Sequence, residues 1–191
     1  MGKRENIRID FINFVESPDE SISYPTGMLF LSAYLKNHNF TNIGFSEHIC
    51  VLRKLSEEEN NLPESGFYPR QYFEKKGKES YEKLIEYIDE RRPHLLFLGP
   101  ITTYHLVELV FLVRKLRERY EEQVFIAGGP HFGKKIILDK ELLDVCCELD
   151  GVVVGEAEET IVEITDLFFS KYVNNGITSH QTVSRSLWAT R

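Results

Sequence analysis

Three short apolar runs constrain what this chain can fold into more than any other feature. Leu95-Leu96-Phe97-Leu98, Val124-Phe125-Ile126-Ala127 and Gly151-Val152-Val153-Val154 are each too short to be the buried face of a helix. They are also too uniformly apolar for a strand with one wet side, so each reads as a strand covered on both faces. A loop containing glycine or proline follows each run, and then apolar residues recur at helical spacing. Leu106, Leu109, Val110, Val113, Leu116 and Tyr120 make one such stripe. A shorter helix is expected over 138–147, and a final one over 156–171 with Ile161, Ile164, Leu167 and Phe168 inward.

The first half of the chain repeats the pattern less regularly. Ile7-Arg8-Ile9-Asp10-Phe11-Ile12-Asn13-Phe14 alternates apolar and polar residues and reads as a first strand, and 42–47 as a short second one. Pro25 suits the first turn of a helix carrying Leu31, Tyr34, Leu35 and His38 at helical spacing. Another helix is expected over 80–92, with Leu84, Ile85 and Ile88 inward and Pro93 ending it. Alternating strand–helix units imply a parallel sheet with right-handed crossovers and helices on both faces. The expected class is therefore α/β, a flavodoxin-like (Rossmann-like), doubly wound, five-stranded parallel sheet of order 2-1-3-4-5. The 191 residues fit one such domain over 1–172. A polar tail over 173–191 is expected to be loosely ordered unless Leu187 and Trp188 dock. Residues 48–80, with an acidic stretch and then Pro63, Gly66 and Pro69, are the least regular part.

Charge and cysteine usage narrow the function classes. A formal charge of -7 argues against a nucleic-acid backbone binder, which carries a basic stripe. The densest basic cluster, Lys75-Lys76-Gly77-Lys78, is flanked by acids and reads as a solvated turn. No apolar run approaches a membrane span, and the N-terminus lacks the apolar region of a signal peptide. Cys50, Cys146 and Cys147 form neither a disulfide framework nor a CxxC metal pair, so buried thiols in a reducing cytoplasm are expected.

In an open α/β sheet, ligands bind outside the carboxyl ends of the strands. This directs attention to a few loops. Gly99-Pro100-Ile101-Thr102-Thr103-Tyr104 brings hydroxyls to a helix N-terminus, where they serve either as N-caps or as ligand contacts. Gly128-Gly129-Pro130-His131 is a tight strand-to-helix turn or a place where backbone approaches a flat ligand. Gly155-Glu156-Ala157-Glu158-Glu159-Thr160 places acids in a first helical turn, which the helix dipole favours. Those carboxylates repel a phosphate and suit amides or ribose hydroxyls.

Together with Tyr24-Pro25-Thr26-Gly27-Met28-Leu29-Phe30-Leu31-Ser32-Ala33-Tyr34-Leu35, these loops resemble the cobalamin (vitamin B12)-binding domain of cobalamin-dependent radical SAM enzymes. That family has a Pro-x-Gly-Leu entry to its first helix, a Gly-Gly-Pro-His loop and a Gly-Glu-Gly-Glu-x-Thr signature, in which Ala157 here replaces a glycine. The resemblance spans roughly residues 7–170. It implies cofactor contacts at Thr26, Gly27, Thr102, Thr103, Tyr104, Gly128, Gly129, Pro130, His131, Gly155, Glu156 and Glu158, with the nucleotide tail of cobalamin between the loops after the third, fourth and fifth strands. Gly99 stands where the family usually has Ser. The Asp-x-His-x-x-Gly of methionine-synthase-type corrinoid proteins is missing, so the resemblance implies base-off cobalamin with no protein histidine on cobalt; His48 is the nearest substitute.

The cysteines cannot supply the CxxxCxxC of a radical SAM iron–sulfur cluster, and no nucleophile–base pair stands out, so no catalytic or metal-ligating residue is assigned. The expectation is a cobalamin-binding module, not catalytic alone, that serves a radical SAM methyltransferase or related enzyme as a domain or subunit. The alternative is a cofactor-free interaction or regulatory module with the same fold. Other doubly wound folds fit worse. A flavodoxin phosphate loop is opposed by Glu16, Asp19 and Glu20, a receiver needs Asp where Gly99 stands, and no GxGxxG follows the first strand.

Overall fold

A computed structural model describes residues 3–15, 25–50, 70–99, 103–129, 132, 148–174 and 187–190. Its strands are β1 (Ile9–Val15), β2 (Ile43–Ile49), β3 (Leu95–Gly99), β4 (Val124–Gly128), β5 (Gly151–Val154) and β6 (Leu187–Thr190). Its helices are α1 (Thr26–Asn37), α2 (Arg70–Arg91), α3 (Thr103–Arg117) and α4 (Glu158–Asn174). All six strands join one sheet in the order β2-β1-β3-β4-β5-β6, and every neighbouring pair is parallel. The first five follow the 2-1-3-4-5 order of the doubly wound class. The sixth extends the expected sheet: Leu187–Thr190 pairs with Gly151–Val154 at its edge.

Side-chain alternation divides the core between the two faces of the sheet. Ile12, Phe14, Leu96, Leu98, Phe125, Ala127, Val152 and Val154 pack with Leu84 and Ile88 of α2 and with Leu109, Leu112, Val113 and Leu116 of α3. Ile9, Phe11, Leu95, Phe97, Val124, Ile126 and Val153 pack with Met28 and Leu35 of α1 and with Ile161, Val162, Ile164 and Phe168 of α4. Leu167, expected inward, is exposed, and Val162 takes a buried place instead.

β1 alternates in sequence, yet it is covered on both faces. It lies between β2 and β3, and its residues from Ile9 to Phe14 are all buried. Asp10 and Asn13 are therefore buried polar groups, three positions apart and so on opposite faces of the sheet. Asp10 pairs with Arg91 of α2, Nε to Oδ1 at 3.2 Å. Burial nevertheless pushes its carboxyl above the usual range, while the charge of Arg91 pulls it down.

Two local features show how the helices are bounded. α1 ends in a Schellman arrangement: Asn39 takes φ 67, its N–H donates to Lys36 O at 3.0 Å, and Phe40 N–H donates to Leu35 O at 3.1 Å. The buried Phe40 and Leu35 provide the apolar pair of this motif. α2 begins at Arg70, well before the expected start near residue 80. The basic cluster assigned to a turn lies inside this helix, where Lys75–Glu79 and Lys78–Glu82 form i,i+4 pairs at 3.8 Å. Alternating charges at that spacing support a helix that its polar composition concealed.

Arg117, the last residue of α3, joins the connections on that side. Its guanidinium donates to Glu121 O at 2.9 Å, to Glu148 O at 3.1 Å and to the Asp150 carboxylate, and lies 4.6 Å from the Phe125 ring centroid. Asp150 Oδ2 also accepts the Phe125 N–H at 2.8 Å. The entries to β4 and β5 are thereby tied to the end of α3.

Candidate functional site

At the carboxyl ends of the central strands, on the α1–α4 face, the fold leaves a cavity of about 970 Å³. This is near the upper end for a small-molecule site. Phe11, Asn13, Phe97, Gly99, Gly128 and Val153 line it from the strands. The first turns of α1, from Pro25 to Met28, and the segment from Gly155 to Glu158 close its sides, with Phe132 and Ile161 contributing apolar surface. The exposed Phe30 also lines it.

Three sequence-distant motif segments converge on this one cavity. Thr26 and Gly27 come from α1, Gly128 and Gly129 from the end of β4, and Gly155, Glu156 and Glu158 from the β5–α4 junction. Gly129, at φ 147, and Gly155, at φ 84, adopt backbone conformations that L side chains rarely take. A Cβ at Gly27 or Gly155 would meet no atom within 4 Å, so both border open space. A Cβ at Gly128 would press on Val153 at 3.3 Å. Thr102, Pro130 and His131 lie outside the described residues, as do the side chains of Thr103 and Tyr104.

Gly99 is closely covered by α1. A Cβ there would overlap the Met28 methyl group, so the Met28 thioether fills the space that a side chain at this position would take. Gly99→Ser is expected to cost about 1 kcal/mol of stability, since Met28 must swing aside, and close to nothing in a Met28→Ala background. Urea denaturation of the double-mutant cycle reads this coupling. Equal costs in both backgrounds would show that Met28 is not the obstacle.

Sequence reasoning missed the site's least expected member. Asn13 is 2% exposed, and among the described residues neither its Oδ1 nor its Nδ2 has a hydrogen-bond partner. Such an unpaired buried group costs about 1–3 kcal/mol. Asn13 stands in register with Gly99 across β1 and β3, the pair at which the strand order reverses. An asparagine in phase with Ile7, Ile9, Phe11 and Val15, on the otherwise apolar face of the strand, was the available signal.

His48 does not serve the cavity. It lies within β2 and is 3% exposed, with its ring against Phe14 on the α2–α3 face. Its Nε2 lies 3.0 Å from Glu108 Oε1, and Ser80 Oγ lies 3.3 Å from its Nδ1 while accepting the Ile49 N–H at 2.8 Å. Both ring nitrogens are thus committed to a buried network on the far side of the sheet. Among the described residues there is no group of three or more His, Cys, Asp or Glu side chains arranged to hold a metal ion, and no described helix is long and apolar enough to cross a membrane.

No family model matches the chain, and no curated protein does. Among solved structures, it is similar to a CheY-like protein, tadZ, from Pseudomonas aeruginosa PAO1. The TM-score is 0.46 at 14% identity, over 85% of this chain and 94% of that one. The fold assignment rests on the strand order and the two-faced core described above.

Proposed function

We propose that this chain is a cobalamin-binding module that holds the cofactor base-off, without a protein histidine on cobalt, for a radical SAM methyltransferase or a related catalytic domain or subunit. The observation that carries the reading is the convergence of the three motif segments on one cavity at the strand ends. The residues present suit the group. Gly27 and Gly155 leave open space for a bulky ligand, and Gly129 lets backbone approach it. Glu156 and Glu158 accept hydrogen bonds from amides or ribose hydroxyls, and the unpaired Asn13 amide faces the same space. Bound cobalamin would supply a transferable methyl group or a low-valent cobalt; the chain's own part is to bind it, orient it and exclude water from its buried portion.

The test is an ultraviolet–visible titration with hydroxocobalamin and methylcobalamin, followed by desalting. Near-stoichiometric retention with a base-off spectrum is expected. Loss of all corrinoid on desalting sinks the reading. It would favour the second one, an interaction module that kept the fold without the cofactor, a reading supported by the Met28 side chain standing over Gly99.

A further inference from the structure

We propose that Asn13 is the specificity-determining residue of the strand-end cavity, and that it recognises a carboxamide or ring-amide edge on the bound molecule. The inference deepens the cobalamin reading and rests on it only for the identity of the natural ligand, since the corrin periphery carries carboxamides. Its basis is the state of the asparagine itself. A buried side-chain amide is ordinarily paired, yet here donor and acceptor are both unpaired at 2% exposure. Strand alternation sends this side chain to the same face as Phe11, the face on which the cavity lies. Its register neighbour on β3 is Gly99, which has no side chain to offer it.

The chemistry of the unpaired atoms selects the ligand class. A ligand offering only an acceptor would satisfy Nδ2 and leave Oδ1 buried and unpaired; one offering only a donor would do the reverse. A carboxamide or lactam edge satisfies both at once. An anion is the wrong partner, because Glu156 and Glu158 line the same cavity and Asn13 carries no charge. Met28, which fills the space over Gly99 with a flexible thioether, is the side chain best able to yield as the ligand's polar edge approaches.

The test compares benzamide with acetophenone, which have nearly the same shape but differ in the amide donor. The side-chain amide signals of Asn13 in ¹⁵N-labelled protein are assigned by their loss in Asn13→Leu. Benzamide is expected to shift these signals and to bind about tenfold tighter than acetophenone, and the preference should vanish in Asn13→Leu. Equal affinities in the wild-type protein, or Asn13 signals unmoved by benzamide, would overturn the inference. Ligand-free Asn13→Leu should melt no lower than wild type, because no internal hydrogen bond is lost; a lower melting temperature also counts against the proposal. Two further outcomes separate this inference from the cobalamin reading. If hydroxocobalamin is retained equally by wild type and Asn13→Leu, the Asn13 inference falls and the module reading stands. If wild type retains no corrinoid but still prefers benzamide, the module reading falls and the Asn13 inference stands.

Discussion

Replacing Arg117 with alanine is expected to lower the unfolding free energy by about 3–5 kcal/mol, a large share of the ~5–15 kcal/mol that holds a domain of this kind together. The effect has three sources. The Asp150 carboxylate, nearly buried, would lose its cationic partner. The carbonyls of Glu121, Gln123 and Glu148 would lose a common donor. The Phe125 ring would lose the guanidinium stacked over it. Arg117→Lys keeps the charge but not the planar fork, so it should recover only part of the loss. Chemical denaturation of the three proteins measures this. A loss below about 1 kcal/mol for the alanine variant would mean that water replaces the guanidinium at little cost, as it does for exposed ion pairs.

Gly27→Trp separates ligand binding from folding. Gly27 sits in the first turn of α1, lines the cavity and has no neighbour within 4 Å of where its Cβ would lie. The substitution should therefore leave the unfolding free energy within about 1 kcal/mol of wild type, aided by the better helix propensity of any residue that is neither glycine nor proline. The indole would project from α1 into the space proposed for the cofactor, and corrinoid retention is expected to fall at least ~100-fold, since overpacking a preformed site removes contacts and adds strain. Parallel desalting and thermal melts check both halves. Undiminished retention by a normally folded Gly27→Trp protein would place the corrinoid elsewhere.

Much of the fold was legible because the informative residues are local. Leu95 to Leu98, Val124 to Ala127 and Gly151 to Val154 announce doubly covered strands by being continuously apolar, and the structure places them at the centre of the sheet. α2 was half concealed because its early turns are held by spaced charges such as Lys75–Glu79, which leave no apolar stripe to read. β6 was concealed for a different reason. Leu187 to Thr190 is a short apolar stretch in a polar tail, and an edge strand of this length is specified by the open edge of β5 more than by its own residues. Glycine-rich motifs marked the cavity walls in the sequence, since they reflect backbone conformations intrinsic to Gly129 and Gly155. The cavity floor was not legible. Asn13 is set opposite Gly99 by the pairing of β1 with β3, and Met28 is laid over Gly99 by the packing of α1 on the sheet, relations between residues more than about seventy positions apart. No local pattern encodes that.

The central place of β1 also bears on how the chain is made. Its buried residues, among them Ile9, Phe11, Ile12 and Phe14, lie near the start of the sequence, while one of the two strands that flank them begins only at Leu95. At roughly 5–20 residues per second, a ribosome needs several seconds to supply that partner. Throughout that interval β1 presents a half-open ladder and a row of aliphatic and aromatic side chains to other nascent chains. Early pairing with β2 covers one edge, but the other stays open until β3 emerges. Among the strands with a neighbour on each side, β1 thus has the longest stretch of chain between itself and the later of its two partners, and the length of its exposure is set by the distance along the chain between β1 and β3.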